Sequence, residues 1–130
     1  MKTDWDNVAA WYDTHLENGD TYQSQVIAPN LLRMLDIKKG EAVLDLACGQ
    51  GYFSRLMKDA GAVVTGIDLS KELIARAIEK SADIAYIIAP ANDTKLKKGS
   101  FDKVVTVLAF ENIKNIDETM VEIKRILKKE

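Results

Sequence analysis

Residues 41–51 read EAVLDLACGQG, and this stretch decides the fold of the chain. Its apolar, partly β-branched first half, residues 41–46, predicts a strand that is buried on both faces of a sheet. Gly49 and Gly51 give the backbone freedom to reverse direction and place no Cβ in the way of a ligand. From Tyr52 apolar residues recur at helical spacing, so a helix follows the turn. A strand, a glycine turn and a helix in this order offer backbone N–H groups to a polar ligand.

A second strand is predicted to end in an acid. Residues 62–67 read as a short buried strand, and Asp68 stands at its end, 17 positions after Gly51. This is near the spacing of about 20 expected of an acid that binds a ribose. A carboxylate there can accept hydrogen bonds from both ribose hydroxyls. Either Asp68 or Ser70 can cap the next helix, predicted over 71–80.

These two segments resemble motif I and the second-strand acidic motif of the class I S-adenosylmethionine-dependent methyltransferases. The branch they resemble most is the small-molecule group that includes ubiquinone and menaquinone biosynthesis methyltransferases. The resemblance implies that Asp45 lies close to the methionine amino group and that Asp68 binds the ribose. It also implies that Gly49 and Gly51 pass under the methionine part of the cofactor. Ala47 replaces the first glycine of the commoner pattern.

The resemblance implies S-adenosylmethionine as cofactor and a wider set of residues around it. The cofactor-binding residues would be Asp45, Ala47, Cys48, Gly49, Gly51, Asp68, Leu69, Asn92, Asp93, Leu108 and Tyr12. The substrate side would include Trp11, Phe110 and Glu111, although Trp11 and Phe110 are also compatible with simple packing. Family members usually carry an acid beside the adenine after the third strand. Pro90 falls near that place here, which leaves Asn92, Asp93 or the backbone of Ala91 as alternatives.

No catalytic residue is identified from the sequence. Methyl transfer by in-line displacement can rest on positioning and desolvation of the two reactants, so the chemistry requires no base. Glu111 and Tyr12 are the only candidates for a base.

Three functions are compatible with these motifs. The leading one is methyl transfer from S-adenosylmethionine to a small-molecule acceptor, and the second is cofactor binding without turnover. The third is an NAD-dependent oxidoreductase domain, whose turn needs a third glycine where Ser54 stands here. Asp45 would also repel a diphosphate, whereas S-adenosylmethionine carries an ammonium and a sulfonium that suit an acidic turn.

The remaining pattern predicts an α/β fold with a Rossmann-like parallel sheet and helices on both faces. Two further strands are predicted over 84–88 and 103–108. Helices are predicted from Asp4, over 22–35 with Pro29 as a bend or first turn, and after Asp117 as cap. The apolar face of that last helix would consist of Met120, Ile123, Ile126 and Leu127. Residues 1–40 are interpreted as an N-terminal helical cap, and residues 41–130 as the cofactor-binding core of one domain.

A complete class I methyltransferase fold has seven strands, and the predicted elements here end with the helix after the fourth. The resemblance is therefore to a truncated form of that fold. Such a sheet would leave an apolar edge that invites pairing with a second copy of the chain, so a homodimer is a possible partner arrangement.

Composition limits the other functional classes. The chain has 130 residues, enough for one domain, and its formal net charge of −2 gives no basic footprint for nucleic acid. One cysteine excludes an intramolecular disulfide and agrees with a cytoplasmic location. No signal peptide is visible, and no apolar run approaches the roughly 20 residues needed to span a membrane. His15 is the only histidine and has no Cys/His cluster around it, so no metal site is expected.

Overall fold

The computed structural model describes residues 23–107 and 115–129. A π-helical segment, Gln23–Ile27, leads into helix α1, Ala28–Leu35. The elements that follow are β1 Ala42–Leu46, α2 Tyr52–Asp59, β2 Val63–Asp68, α3 Lys71–Lys80, β3 Ala85–Ile88, β4 Lys103–Val105 and α4 Ile116–Ile126. The predicted ends of the first three strands differ from these bounds by one residue, and β4 ends at Val105, short of the predicted position 108.

The four strands form one parallel sheet in the order β3-β2-β1-β4. The predicted parallel α/β architecture is therefore confirmed. Asp45 of β1 lies opposite Gly66 of β2, which in turn lies opposite Tyr86 of β3. Because all strands run in the same direction, the residues that follow β1, β2 and β3 gather at one edge of the sheet.

Helices cover both faces of the sheet, as predicted. Val43 and Leu44 are both fully buried, and because side chains alternate along a strand they belong to two separate core clusters. The first cluster includes Met57 of α2 and packs against Leu31, Leu32 and Leu35 of α1. The second cluster takes Ile126 from α4, which closes the opposite face.

Two helix starts that the sequence left open are decided by the structure. Ser70 is the cap of α3, because its Oγ accepts a hydrogen bond from the backbone N of Leu73 at 3.2 Å. Pro29 stands in the first turn of α1. The segment before it is π-helical, so the predicted helix over 22–35 consists of two parts.

The predictions for the last helix need correction. Asn115 is the residue that precedes α4 and Asp117 lies inside its first turn, so Asp117 is not the cap. Met120 is 49% exposed, and the buried residues of this helix are Thr119, Glu122 and Ile126. Ile126 and Ile123 pack in the second core cluster as predicted, whereas Met120 does not and Leu127 follows the end of the helix. The helix also turns a polar side chain inward to bind a loop, as described below.

Several predicted features lie outside the described residues. These are the first helix with Trp11, Tyr12 and His15, and the segment with Leu108, Phe110 and Glu111. In the described part of the chain, no helix is long and apolar enough to cross a membrane.

Candidate functional site

The glycine turn after β1 has an unusual backbone. Ala47, Gly49 and Gly51 all have positive φ, at 62°, 60° and 87°. Only glycine adopts this region without steric cost, so Ala47 carries strain of about 1–2 kcal/mol. A glycine at position 47 would avoid this strain. The turn is held to β2 by the backbone N of Cys48, which donates to the carbonyl of Ile67 at 2.9 Å.

The two glycines of the turn have different surroundings. A Cβ built on Gly49 would have no heavy atom of the described residues within 4 Å, so this position faces open space. A Cβ built on Gly51 would collide with the hydroxyl of Tyr86 and would lie 3.3 Å from the Cβ of Ala77. The sequence suggested that both glycines leave room for a ligand. Only Gly49 opens onto free space, whereas the room beside Gly51 is filled by Tyr86.

Asp68 connects the end of β2 to this turn. Its Oδ2 accepts a hydrogen bond from the backbone N of Gly49 at 2.9 Å, and its Oδ1 accepts one from the backbone N of Ser70 at 2.9 Å. Each carboxylate oxygen has two lone-pair directions and can accept more than one hydrogen bond. Asp68 therefore fixes the position of Gly49 and can also accept hydrogen bonds from a ligand.

Asp45 lies beneath the turn and is only 2% exposed. The Oγ of Ser54, in the first turn of α2, donates a hydrogen bond to its Oδ2 at 2.6 Å. Burial raises the pKa of Asp45 to about 7, the hydrogen bond from Ser54 opposes the shift, and the charge of Asp68 adds to it. A positive charge near the turn would favour the ionised carboxylate.

Cys48 behaves as a packing residue in this turn. Burial raises the pKa of its thiol well above the ordinary value, and the charges of Asp45 and Asp68 act in the same direction. Because the thiolate is the nucleophilic form, the neutral thiol at physiological pH is unreactive.

The predicted adenine-side residues have varied positions. Leu69 follows Asp68 directly and is 56% exposed. The side-chain amide of Asn92 donates to Oε2 of Glu118 on α4 at 2.9 Å, and Asp93 forms an ion pair with Lys95 at 3.1 Å. The structure thus brings Leu69 to the glycine turn and Asp68, while the side chains of Asn92 and Asp93 interact with other partners.

Sequence reasoning missed the residues that attach the loop after β3 to α4. Glu122 of α4 is 8% exposed and accepts hydrogen bonds from the backbone N and the Oγ1 of Thr94, at 2.9 and 2.6 Å. Arg125 donates to the same carboxylate through Nε at 2.7 Å and Nη2 at 2.9 Å. Arg125, and then Thr94, lower the pKa of Glu122 to about 2. The spacing of Glu122 and Arg125 is a sequence signal for a helical ion pair, but nothing local indicates Thr94 as a partner.

Metal-ligating residues do not cluster in the described part of the chain, where no group of three or more His, Cys, Asp or Glu side chains could hold an ion. The site at the carboxyl ends of β1 and β2 consists of two carboxylates, an open glycine position and an exposed leucine. This donor set suits an organic ligand that carries positive charge and hydroxyl groups.

Comparison with known proteins identifies the family of this chain. Residues 44–130 match the family described as "Methyltransferase domain". A demethylmenaquinone methyltransferase of Chlorobaculum tepidum is 33% identical over 129 residues, which make up 95% of this chain and 53% of that protein. The chain covers between 37% and 53% of the length of the curated relatives it matches. The oxidoreductase alternative finds no support among these relatives.

Two solved structures extend the comparison. A chain in the complex of the Haloferax volcanii Trm112 methyltransferase activator superposes with a TM-score of 0.85 at 27% identity, covering 98% of this chain and 57% of that one. A Haemonchus contortus phosphoethanolamine N-methyltransferase, in complex with phosphomonomethylethanolamine and S-adenosylhomocysteine, gives a TM-score of 0.70 at 31% identity, covering 75% of this chain and 24% of that one. The cofactor of the family is S-adenosylmethionine. This chain belongs to the S-adenosylmethionine-dependent methyltransferase family.

Proposed function

We propose that this chain carries the S-adenosylmethionine site of a methyltransferase that acts on a small-molecule acceptor. The observation that carries the proposal is the edge formed by Asp45, Gly49 and Asp68. There, an open glycine position donates a hydrogen bond to the carboxylate at the end of β2, and a buried carboxylate stands four positions before that glycine in β1. A ligand with an ammonium, a sulfonium and a ribose matches this combination.

The described residues divide the binding task. Asp68 would accept hydrogen bonds from the ribose hydroxyls while it holds the backbone of Gly49 in place. Asp45 is buried, so its contribution is the negative charge that it places beneath the turn. Gly49 gives the ligand access to the turn, and Leu69 offers an apolar surface beside Asp68. The remaining members of the proposed cofactor site are Ala47, Cys48, Gly51, Asn92, Asp93, Leu108 and Tyr12.

When bound, S-adenosylmethionine supplies an electrophilic methyl group. The residues of the chain bind and orient the reactants and exclude water, which can account for much of the acceleration in a displacement of this kind. Trp11, Phe110 and Glu111 stay predicted contacts of the acceptor, and Glu111 and Tyr12 stay the candidates for a base.

The acceptor is proposed only as a small molecule. One relative is named for demethylmenaquinone and one solved neighbour contains phosphomonomethylethanolamine, so similar chains serve chemically different acceptors. Cofactor binding without turnover is the second candidate, because the described edge accounts for cofactor binding alone.

Calorimetric titration of the chain with S-adenosylmethionine, S-adenosylhomocysteine and NAD tests the proposal. We expect the first two to bind with one site per chain and NAD not to bind. A folded sample that binds none of the three would overturn the cofactor site. If the cofactor binds, the absence of methyl transfer to a panel of quinol, amine and carboxylate acceptors would favour the second candidate.

Two further expectations stay predictions. The homodimer through the sheet edge has no support in the structure or in the comparisons, and light scattering of the chain at high concentration tests it. Cytoplasmic location can be tested by fractionation of cells that express the chain.

A further inference from the structure

Three residues form a row across the sheet on the side of the glycine turn. Asp45, Gly66 and Tyr86 are register partners on β1, β2 and β3. A Cβ on the central residue, Gly66, would lie 2.7 and 2.8 Å from Cδ1 and Cε1 of Tyr86. It would also lie 3.0 Å from Sγ of Cys48. The tyrosine ring therefore occupies the place that any side chain at position 66 would need.

The far end of the same ring reaches the start of α2. The hydroxyl of Tyr86 is buried and occupies the place of a Cβ on Gly51. Burial is the main cause that raises the pKa of this phenol to about 12; the charge of Asp45 also raises it, whereas the charge of Arg55 lowers it. The ring is therefore uncharged, and it fills the space between Gly66 of β2 and Gly51, the residue that precedes α2.

We infer that Tyr86 is a positioning residue for the cofactor-binding turn. Its ring passes over Gly66 and reaches Gly51, so it holds the turn from Cys48 to Gly51 at a fixed height above the sheet. The inference rests on the proposed function, since it assigns Tyr86 a role in a site whose ligand is itself proposed. It requires no contact between Tyr86 and the cofactor.

Two single variants and their combination test this role. Tyr86→Val removes the aromatic ring, and Gly66→Ala displaces it. Each variant should therefore weaken S-adenosylhomocysteine binding by about tenfold, because the turn is misplaced. The double variant should bind no worse than Tyr86→Val, because the added methyl group no longer meets a ring. Tyr86→Phe keeps the ring and should bind within about threefold of the parent chain.

Ile87→Ala is the matched control. Ile87 is the next residue on β3 and packs into the cluster on the opposite face of the sheet. We expect this variant to lower the melting temperature without a change in the dissociation constant for S-adenosylhomocysteine. If it weakens binding as much as Tyr86→Val does, Tyr86 contributes only general stability and the inference fails.

The outcomes separate the two proposals. If the parent chain does not bind S-adenosylhomocysteine, the proposed function fails and this inference fails with it. If the parent chain binds and folded Tyr86→Val binds equally well, only the inference is overturned. If Gly66→Ala does not fold, the comparison of Tyr86→Val, Tyr86→Phe and Ile87→Ala decides.

Discussion

Ser54 donates a hydrogen bond to Asp45 across 2.6 Å, and both side chains are buried beneath the glycine turn. The bond alone would favour the charged carboxylate, yet burial outweighs it and raises the pKa of Asp45 to about 7. An acid with this pKa is partly protonated at neutral pH, so both stability and ligand affinity should depend on pH.

We expect cofactor affinity to rise with pH through the titration of Asp45. Because a cation favours the ionised carboxylate, binding of S-adenosylmethionine at pH 6.5 should release a fraction of a proton. Calorimetry in buffers of different ionisation enthalpy measures this release. In Asp45→Asn the release should disappear, and equal release in both proteins would show that another group titrates.

The same carboxyl group should make the parent chain less stable as pH rises. Its pKa is higher in the folded state than in the unfolded state, so its favourable contribution is complete below about pH 4 and is lost as pH rises to about 7. Urea unfolding measures the free energy of unfolding of both proteins from pH 4 to 8. As pH rises, the stability of Asp45→Asn should increase relative to that of the parent chain. A difference in stability that stays constant across this range would contradict the assignment.

Gly49→Ala should remove ligand binding at a modest cost in stability. Gly49 has φ of 60° and open space around its Cβ position, so alanine is strained by about 1–2 kcal/mol and its methyl group points into the proposed site. Gly99→Ala is the matched control, because Gly99 has φ of 64° and equally open surroundings within the described residues. Both variants should lose similar stability in urea titrations, and only Gly49→Ala should lose affinity for S-adenosylhomocysteine. Similar affinities would remove Gly49 from the site.

Asp68→Ala should weaken cofactor binding by about 1–3 kcal/mol, the usual contribution of hydrogen bonds to a charged group. The proposed ribose contacts and the bond to the backbone N of Gly49 would be lost together. Asp83→Ala serves as control, since Asp83 pairs with Lys58 and Ser81 and precedes β3 at the other edge of the sheet. A dissociation constant for S-adenosylhomocysteine that is unchanged in Asp68→Ala would exclude this carboxylate.

Glu122→Gln should destabilise the fold by about 1–3 kcal/mol at pH 7, because a buried acceptor of several hydrogen bonds loses its charge. The pKa of Glu122 is about 2, below its unfolded value, so its contribution is present above about pH 4.5 and is lost as pH falls toward 2. The difference between variant and parent should therefore shrink on acidification. Glu72→Gln, which affects an exposed ion pair with Arg76, should change stability by less than about 1 kcal/mol.

The sequence allowed the order of the elements and the location of the site to be predicted for physical reasons. Strands that are buried on both faces, glycine turns and helix caps are local patterns, and the parallel sheet follows from their alternation. The positions of Gly49 and Asp68 could be predicted because each lies at or just beyond the carboxyl end of a recognisable strand. Ser70 could be considered as a helix cap because the pattern for a cap also involves only neighbouring residues.

The features that could not be predicted depend on contacts between distant residues. Glu122 binds Thr94, 28 positions away, so an inward polar residue on α4 had no local signal. Tyr86 fills the space beside Gly51 because strand register brings β3 across Gly66, and register is not visible in a single strand. Asp117 was a reasonable cap by residue type, but the helix starts at Ile116, two residues earlier than that assignment requires.

The strand order β3-β2-β1-β4 also has a consequence for how the chain folds. The ladder between β1 and β2 joins Asp45 to Gly66, whereas the ladder between β1 and β4 joins Leu44 to Val104, a much longer loop to close. Long-range pairing slows folding, so we expect β4 to dock after β1 and β2 have paired. Asp45, Gly49 and Asp68 all come from β1, β2 and the segment that joins them. The chain should therefore acquire its affinity for the cofactor early in folding, before the last strand joins the sheet.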